Sequence, residues 1–221
     1  MLPLKLWRPL WFDGVALCVG AAAPDLAYVL DGSGLPVWPF SHEWWGLLGW
    51  CLPVTMALGW VLRRAAPVVA AHLPAGGPLA LRDYGALSAV RPPWWVTAWS
   101  GVIGGASHLL LDGLDLLGPA GEWAGHVAGG GVTLAGLVHI GRSRLIERWH
   151  GPAPRLPARH GRFWGTVAVV SLAGCAVVPL LPAAFLAHTT GVRLIAVAVL
   201  ALLAGAVAVQ LSPVDVAGDS R

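Results

Sequence analysis

The sequence predicts an all-α protein: a polytopic membrane helical bundle of about six transmembrane helices, with the N-terminus and C-terminus cytoplasmic. Three observations predict it. Apolar residues make up 57% of the 221 positions and charged residues only 11%, far below the roughly one quarter of a soluble domain. Six apolar stretches approach the ~20 residues that cross a hydrocarbon core. The basic residues segregate to alternate connections, as they do when short arginine-rich loops stay cytoplasmic.

The first stretch, 10–30, follows Lys5 and Arg8 and ends in Ala21-Ala22-Ala23 before Pro24. Asp13 interrupts it, and Pro24 would stand just after a cleavage point, so it reads as an uncleaved first membrane segment. The second, 44–62, opens with Trp44-Trp45, and the third, 94–111, with Trp94-Trp95. The fourth, 123–140, opens at Trp123. These indoles mark the headgroup level, where an apolar ring with one N–H is favoured. The fifth and sixth, 163–186 and 192–211, contain the cleanest apolar runs and no motif. All six form one membrane domain, 1–221, with the motif-bearing part in 1–140.

Between the second and third stretches, residues 63–93 carry Arg63, Arg64, Arg82 and Arg91, and Pro67, Pro74 and Pro78 break them into a segment expected along the membrane surface. Residues 141–162 carry six more arginines, whereas 31–43, 112–122 and 187–191 hold no arginine or lysine. With the N-terminus inside, thirteen of the fourteen basic residues are cytoplasmic, and Arg193 is the exception. So few, dispersed charges exclude a nucleic-acid footprint. The implied partner is the lipid bilayer, and the implied location is a cell membrane crossed by a multi-pass chain. Cys18, Cys51 and Cys175 have no metal-type spacing and read as packing residues.

Polar residues gather at one depth. Asp25 ends the first stretch, His42 and Glu43 precede the second, His108 and Asp112 end the third, Asp115 and Glu122 follow it, and His126 opens the fourth. His108 and Asp112 are four apart and share a helix face. Neutral imidazole and carboxylate both donate lone pairs, a set that suits a divalent metal such as zinc. The same pairs could instead lock helices together through hydrogen bonds, and both readings stay open. The expected metal set is Asp25, His42, His108 and Asp112, with His126 a weaker addition from depth alone. Glu43 and Asp115 are candidate catalytic bases. Asp13 reads as a solvated helix end, His72, His150 and His160 as solvated loop residues, and His139 and His188 as lacking partners.

The order APDLAY (23–28), FSHEWWGLLGWCLPV (40–54), VLRRAAPVVAAHLP (61–74) and GVIGGASHLLLD (101–112) resembles the domain-of-unknown-function 4184 family of small bacterial integral membrane proteins. Its proline–aspartate and SHxxxD elements are similar to those of membrane proteins described as metal-dependent hydrolases. The resemblance implies a bacterial plasma-membrane location and a site at Asp25, His42, His108 and Asp112 acting on a lipid-surface substrate. The chain departs from the family pattern at Trp7-Arg8-Pro9, where a Ser-His-Pro is usual. It departs again at Gly113-Leu114-Asp115-Leu116, where an aromatic-Thr-His is usual. A non-catalytic scaffold or partner-binding protein is the alternative function. A transporter fits less well, since the polar groups sit at one boundary and not at the midplane.

Overall fold

A computed structural model describes residues 1–113 and 118–211, with the backbone alone at 119–124, 126 and 128. The regular structure of the described residues is all helical, without strands. The helices are α1 (Leu2–Trp7), α2 (Gly14–Ala22), α3 (Leu52–His72), α4 (Trp94–Asp112), α5 (Pro119–Arg142), α6 (Leu145–His150), α7 (His160–Val177) and α8 (Ala187–Gln210). Three helical stretches are long and apolar enough to cross a bilayer: Leu47–His72, His160–Leu180 and Ala187–Gln210. The chain is therefore a membrane protein. Helices α4 and α5 coincide with the third and fourth apolar stretches of the sequence.

The first stretch is not one helix. Helix α2 stops at Ala22, Pro24 follows, and Asp25–Leu30 winds into a 3₁₀ turn. A proline cannot supply the N–H that would continue the ladder, and the break frees Asp25 to face another direction. The second stretch is longer than expected. A π-helical turn, Leu47–Cys51, leads into α3, which runs through Pro67 to His72. The whole rod is about 39 Å at 1.5 Å per residue, more than the ~30 Å hydrocarbon core.

Helix α3 survives Pro67 because its last third is packed. Val68 joins Phe163 and Ala206 in a core cluster. His72 is buried, not solvated. Its Nδ1–H donates to the Val68 carbonyl (2.7 Å), its Nε2 accepts from the Arg159 N–H (3.0 Å), and its ring stacks on Phe163 at 4.2 Å. These bonds offset the ladder bond that the proline removes.

Helices α2, α3 and α4 form the inner group, α8 packs on α3 and on the 25–30 turn, and α7 packs on α8. Glycine sets the α2–α4 distance. A Cβ on Gly20 would overlap the Gly101 carbonyl, and one on Gly104 would lie 2.5 Å from the Leu17 carbonyl oxygen. Such small-residue faces let backbones meet where lipid supplies no hydrophobic drive.

Asp13, expected to be solvated, is 1% exposed. Its Oδ1 caps α2 by accepting from the Val15 and Ala16 N–H groups, and it pairs with the Arg63 guanidinium. Its Oδ2 accepts from Thr97 Oγ1 at 2.8 Å, and its own N–H donates to Ser100 Oγ at 3.0 Å. One carboxylate thus ties α2, α3 and α4 at their basic end. Nearby, Lys5 Nζ donates to the Phe12 carbonyl at 2.7 Å.

Arg193, the exception in the charge pattern, is also buried. It donates to the carbonyls of Val29 (3.3 Å), Pro182 (2.6 Å) and Asp31 (2.6 Å). Thr189 Oγ1 donates to Asp31 Oδ2 at 2.9 Å. Arg193 acts inside the protein, satisfying two carbonyls at the end of the 3₁₀ turn and one in the connection before α8. The cysteines are free, with Cys51 in the core and Cys18 and Cys175 exposed on helix faces.

His150, expected to be solvated, lies half-buried at the end of α6, and its Nδ1 is buried without a hydrogen-bond partner among the described residues. Burial, then the Lys5 and Arg63 cations, push its pKa down to about 4.

Candidate metal centre

Three separate segments bring four side chains to the acidic end of the bundle. Asp25 comes from the turn after the Pro24 break. His42 comes from the 3₁₀ turn Phe40–His42, and His108 and Asp112 from the last turns of α4. Close backbone contacts hold these segments. A Cβ on Gly46 would overlap the Phe40 carbonyl, so the 40–42 turn lies flat on the start of the second stretch. Trp50 Nε1–H donates to the Ala23 carbonyl at 2.8 Å, capping the end of α2 beside Asp25. Ala23, Leu47 and Cys51 form the apolar cluster beneath, with Ala106 and Leu109 of α4 packed against it.

The four groups meet through two ring nitrogens. Asp25 Oδ1 lies 3.4 Å from His42 Nε2 and 3.4 Å from His108 Nε2. Asp112 Oδ2 lies 3.2 Å from His108 Nε2 and 3.8 Å from His42 Nε2. The imidazole rings meet edge-on, with centroids 5.6 Å apart at 68°. Donor atoms of Asp25, His42 and His108 all lie within 4.8 Å of one another. The histidine side chains are 17–19% exposed and the carboxylates 43–44%, so the nitrogens line the inner wall and the carboxylates the open side.

Imidazole nitrogens and carboxylate oxygens are donors that a divalent cation accepts, and Asp25, His42 and His108 are spaced closely enough to hold one. In a tetrahedral zinc site with ligands near 2.0–2.1 Å, neighbouring donor atoms stand about 3.4 Å apart. The four imidazole–carboxylate distances bracket that edge. No arginine competes for either carboxylate among the described residues.

A second layer was not foreseen from the sequence. The buried Ser41 Oγ sits 2.9 Å from His42 Nδ1, fixing the ring so that Nε2 faces the carboxylates, as outer partners of metal-ligating histidines do. The Tyr28 ring lies 5.4 Å from His42 and 4.7 Å from His188, so His188 has a partner after all. Both Ser41 and Tyr28 stand in the quoted motifs, SHEWW and APDLAY, but only the folded turns show which neighbour each serves.

Of the remaining sequence-predicted residues, Glu43 falls outside this cluster. It follows His42 but is exposed, and its carboxylate has no hydrogen bond or ion pair among the described residues. Asp115 and the side chains of Glu122, Trp123 and His126 lie outside the described residues.

No curated protein and no solved structure matches the chain. A family model described as a domain of unknown function (DUF4184) matches residues 1–115, the region that supplies all four converging side chains. The chain belongs to the DUF4184 family.

Proposed function

We propose that Asp25, His42, His108 and Asp112 hold a divalent cation such as zinc, and that the protein is a metal-dependent hydrolase acting at the membrane surface. The observation that carries this reading is the convergence of two Nε2 atoms on two carboxylates at distances of 3.2–3.8 Å. A bound cation would supply Lewis acidity and lower the pKa of a water at the site. Ser41 orients the His42 ring, the small residues of α4 hold His108 and Asp112 against the first segment, and the half-exposed carboxylates leave the site open to a substrate. Glu43 and Asp115 are the candidate bases. The substrate class is a phosphoester or amide presented at the lipid surface.

We further place the chain in a bacterial plasma membrane with six passes, both termini cytoplasmic and the site on the outer face. The basic connections at 63–93 and 141–162 support that orientation. A reporter fused after Arg148 should read as cytoplasmic, and a periplasmic signal there would reverse the assignment.

Elemental analysis of detergent-purified protein after zinc reconstitution tests the metal. One equivalent is expected in the wild type and none in His42→Ala or His108→Ala. Ser41→Ala should retain the site but weaken affinity about 10–100-fold. Absence of stoichiometric metal in a folded wild type would leave the same ion pairs as a helix lock, the scaffold alternative.

A further inference from the structure

At the opposite end of the bundle, α3, α4 and the connection between them line a half-open cavity of about 430 Å³. Trp94 on its rim and His108 in the metal centre are fourteen residues apart on α4, roughly 20 Å at 1.5 Å each. The two sites are therefore separate.

Arg63, Arg64 and Arg91 line this cavity, and no carboxylate does. The Arg63 guanidinium is anchored from behind by Asp13 and by the Leu87 carbonyl, to which its Nη1 donates at 3.2 Å. Arg64 and Arg91 are exposed, and neither has a carboxylate partner among the described residues. Arg64 lies over the Trp60 ring at 4.8 Å. Two uncompensated guanidinium groups beside an anchored third form a receptor for a phosphate, whose oxygens match the planar fork of arginine.

The surroundings select a lipid phosphate over a free one. Trp60 and Trp94, 59% and 73% exposed, stand on the cavity wall, and exposed indoles mark the headgroup level. Met56, one turn from Trp60 towards the bilayer centre, continues the wall as an apolar strip of α3. A free anion would use only the arginines, whereas a phospholipid would also use that strip for its chain. Basic pockets between helices at this depth are the usual seats of anionic headgroups.

We propose that this cavity is a binding site for an anionic phospholipid, with the phosphodiester between Arg64 and Arg91 and an acyl chain along Met56 and Trp60. It is independent of the metal centre and needs none of its residues.

Native mass spectrometry of the full chain, in micelles doped with phosphatidylglycerol or phosphatidylcholine, tests the proposal. Phosphatidylglycerol should bind at least about tenfold more tightly. The Arg64→Gln/Arg91→Gln variant should lose that preference, and Arg64→Lys/Arg91→Lys should keep part of it. Both positions are exposed, and unchanged circular dichroism would show that the variants fold. Equal binding of the two lipids, or a preference surviving in the glutamine variant, would overturn the proposal. So would displacement of phosphatidylglycerol by inorganic phosphate at equal concentration, because the ligand would then be the free anion.

Discussion

Replacing Asp13 by asparagine isolates the charge of the buried cluster at the basic end. Asparagine keeps an oxygen that can cap Val15 and Ala16, with its amide Nδ2 taking the place of Oδ2 and donating to Thr97 Oγ1 instead of accepting from it, so the capping contribution, typically ~1 kcal/mol, is largely preserved. What disappears is the countercharge of Arg63, whose side chain is only 11% exposed. Stranding one partner of a buried pair costs about 3–5 kcal/mol, whereas replacing both by uncharged groups is often close to neutral. Arg63 keeps its bond to the Leu87 carbonyl, so a loss of about 3 kcal/mol is expected for Asp13→Asn. Arg63→Met should cost a similar amount, because Asp13 then remains charged and buried.

The double variant decides the matter. Asp13→Asn/Arg63→Met should be more stable than the sum of the single effects by at least about 2 kcal/mol, the coupling of a buried pair in contact. Unfolding in mixed micelles can be followed by tryptophan emission, and Trp99, stacked on Phe12 at 5.3 Å beside Asp13, is a local reporter. Burial also predicts that the coupling persists in high salt, which screens exposed pairs first. An Asp13→Asn effect below about 0.5 kcal/mol, additive with Arg63→Met, is what a solvated helix end gives, and would refute the buried network.

Two further outcomes follow from the packing and from His150. Gly104→Ala places a methyl 2.5 Å from the Leu17 carbonyl oxygen, so it should destabilise by about 1–3 kcal/mol and weaken metal binding by pulling α4 off the first segment. Gly113→Ala, with nothing within 4 Å among the described residues, is the near-neutral control in the same thermal assay. The pKa of His150 lies at about 4 in the fold against about 6.5 unfolded. The unfolded chain therefore takes up a proton that the folded one refuses, and stability falls as pH drops from about 6.5 towards 4. The melting temperature of His150→Phe should fall less between pH 7 and about 5.5 than that of the wild type, and parallel falls would remove His150 as the cause.

Four of the candidate ligands were legible without a structure because depth is a one-dimensional property. Once the spans are placed, Asp25, His42, His108 and Asp112 share a level whatever the helices do laterally. Ser41 and Tyr28 were not legible as supports, since their roles depend on turn geometry at 25–30 and 40–42 that no periodicity encodes. Asp13 and His72, expected to be solvated, are buried, and Arg193 breaks the charge pattern, for one physical reason. Their partners lie 50, 87 and more than 150 positions away in Arg63, Arg159 and Val29 or Asp31, and a charged residue alone in a sequence window looks like a solvated one.

Composition alone is enough to name the solvent. Scarce charge and long apolar runs cannot be satisfied in water, and their helical form follows because lipid offers the backbone no other partner. The break of the first stretch at Pro24, the passage of α3 through Pro67, and the aim of two imidazole nitrogens at two carboxylates emerge only in the folded chain. Those outcomes depend on packing between segments distant in the chain, which offsets locally unfavourable choices and fixes the side-chain directions that composition and spacing leave free.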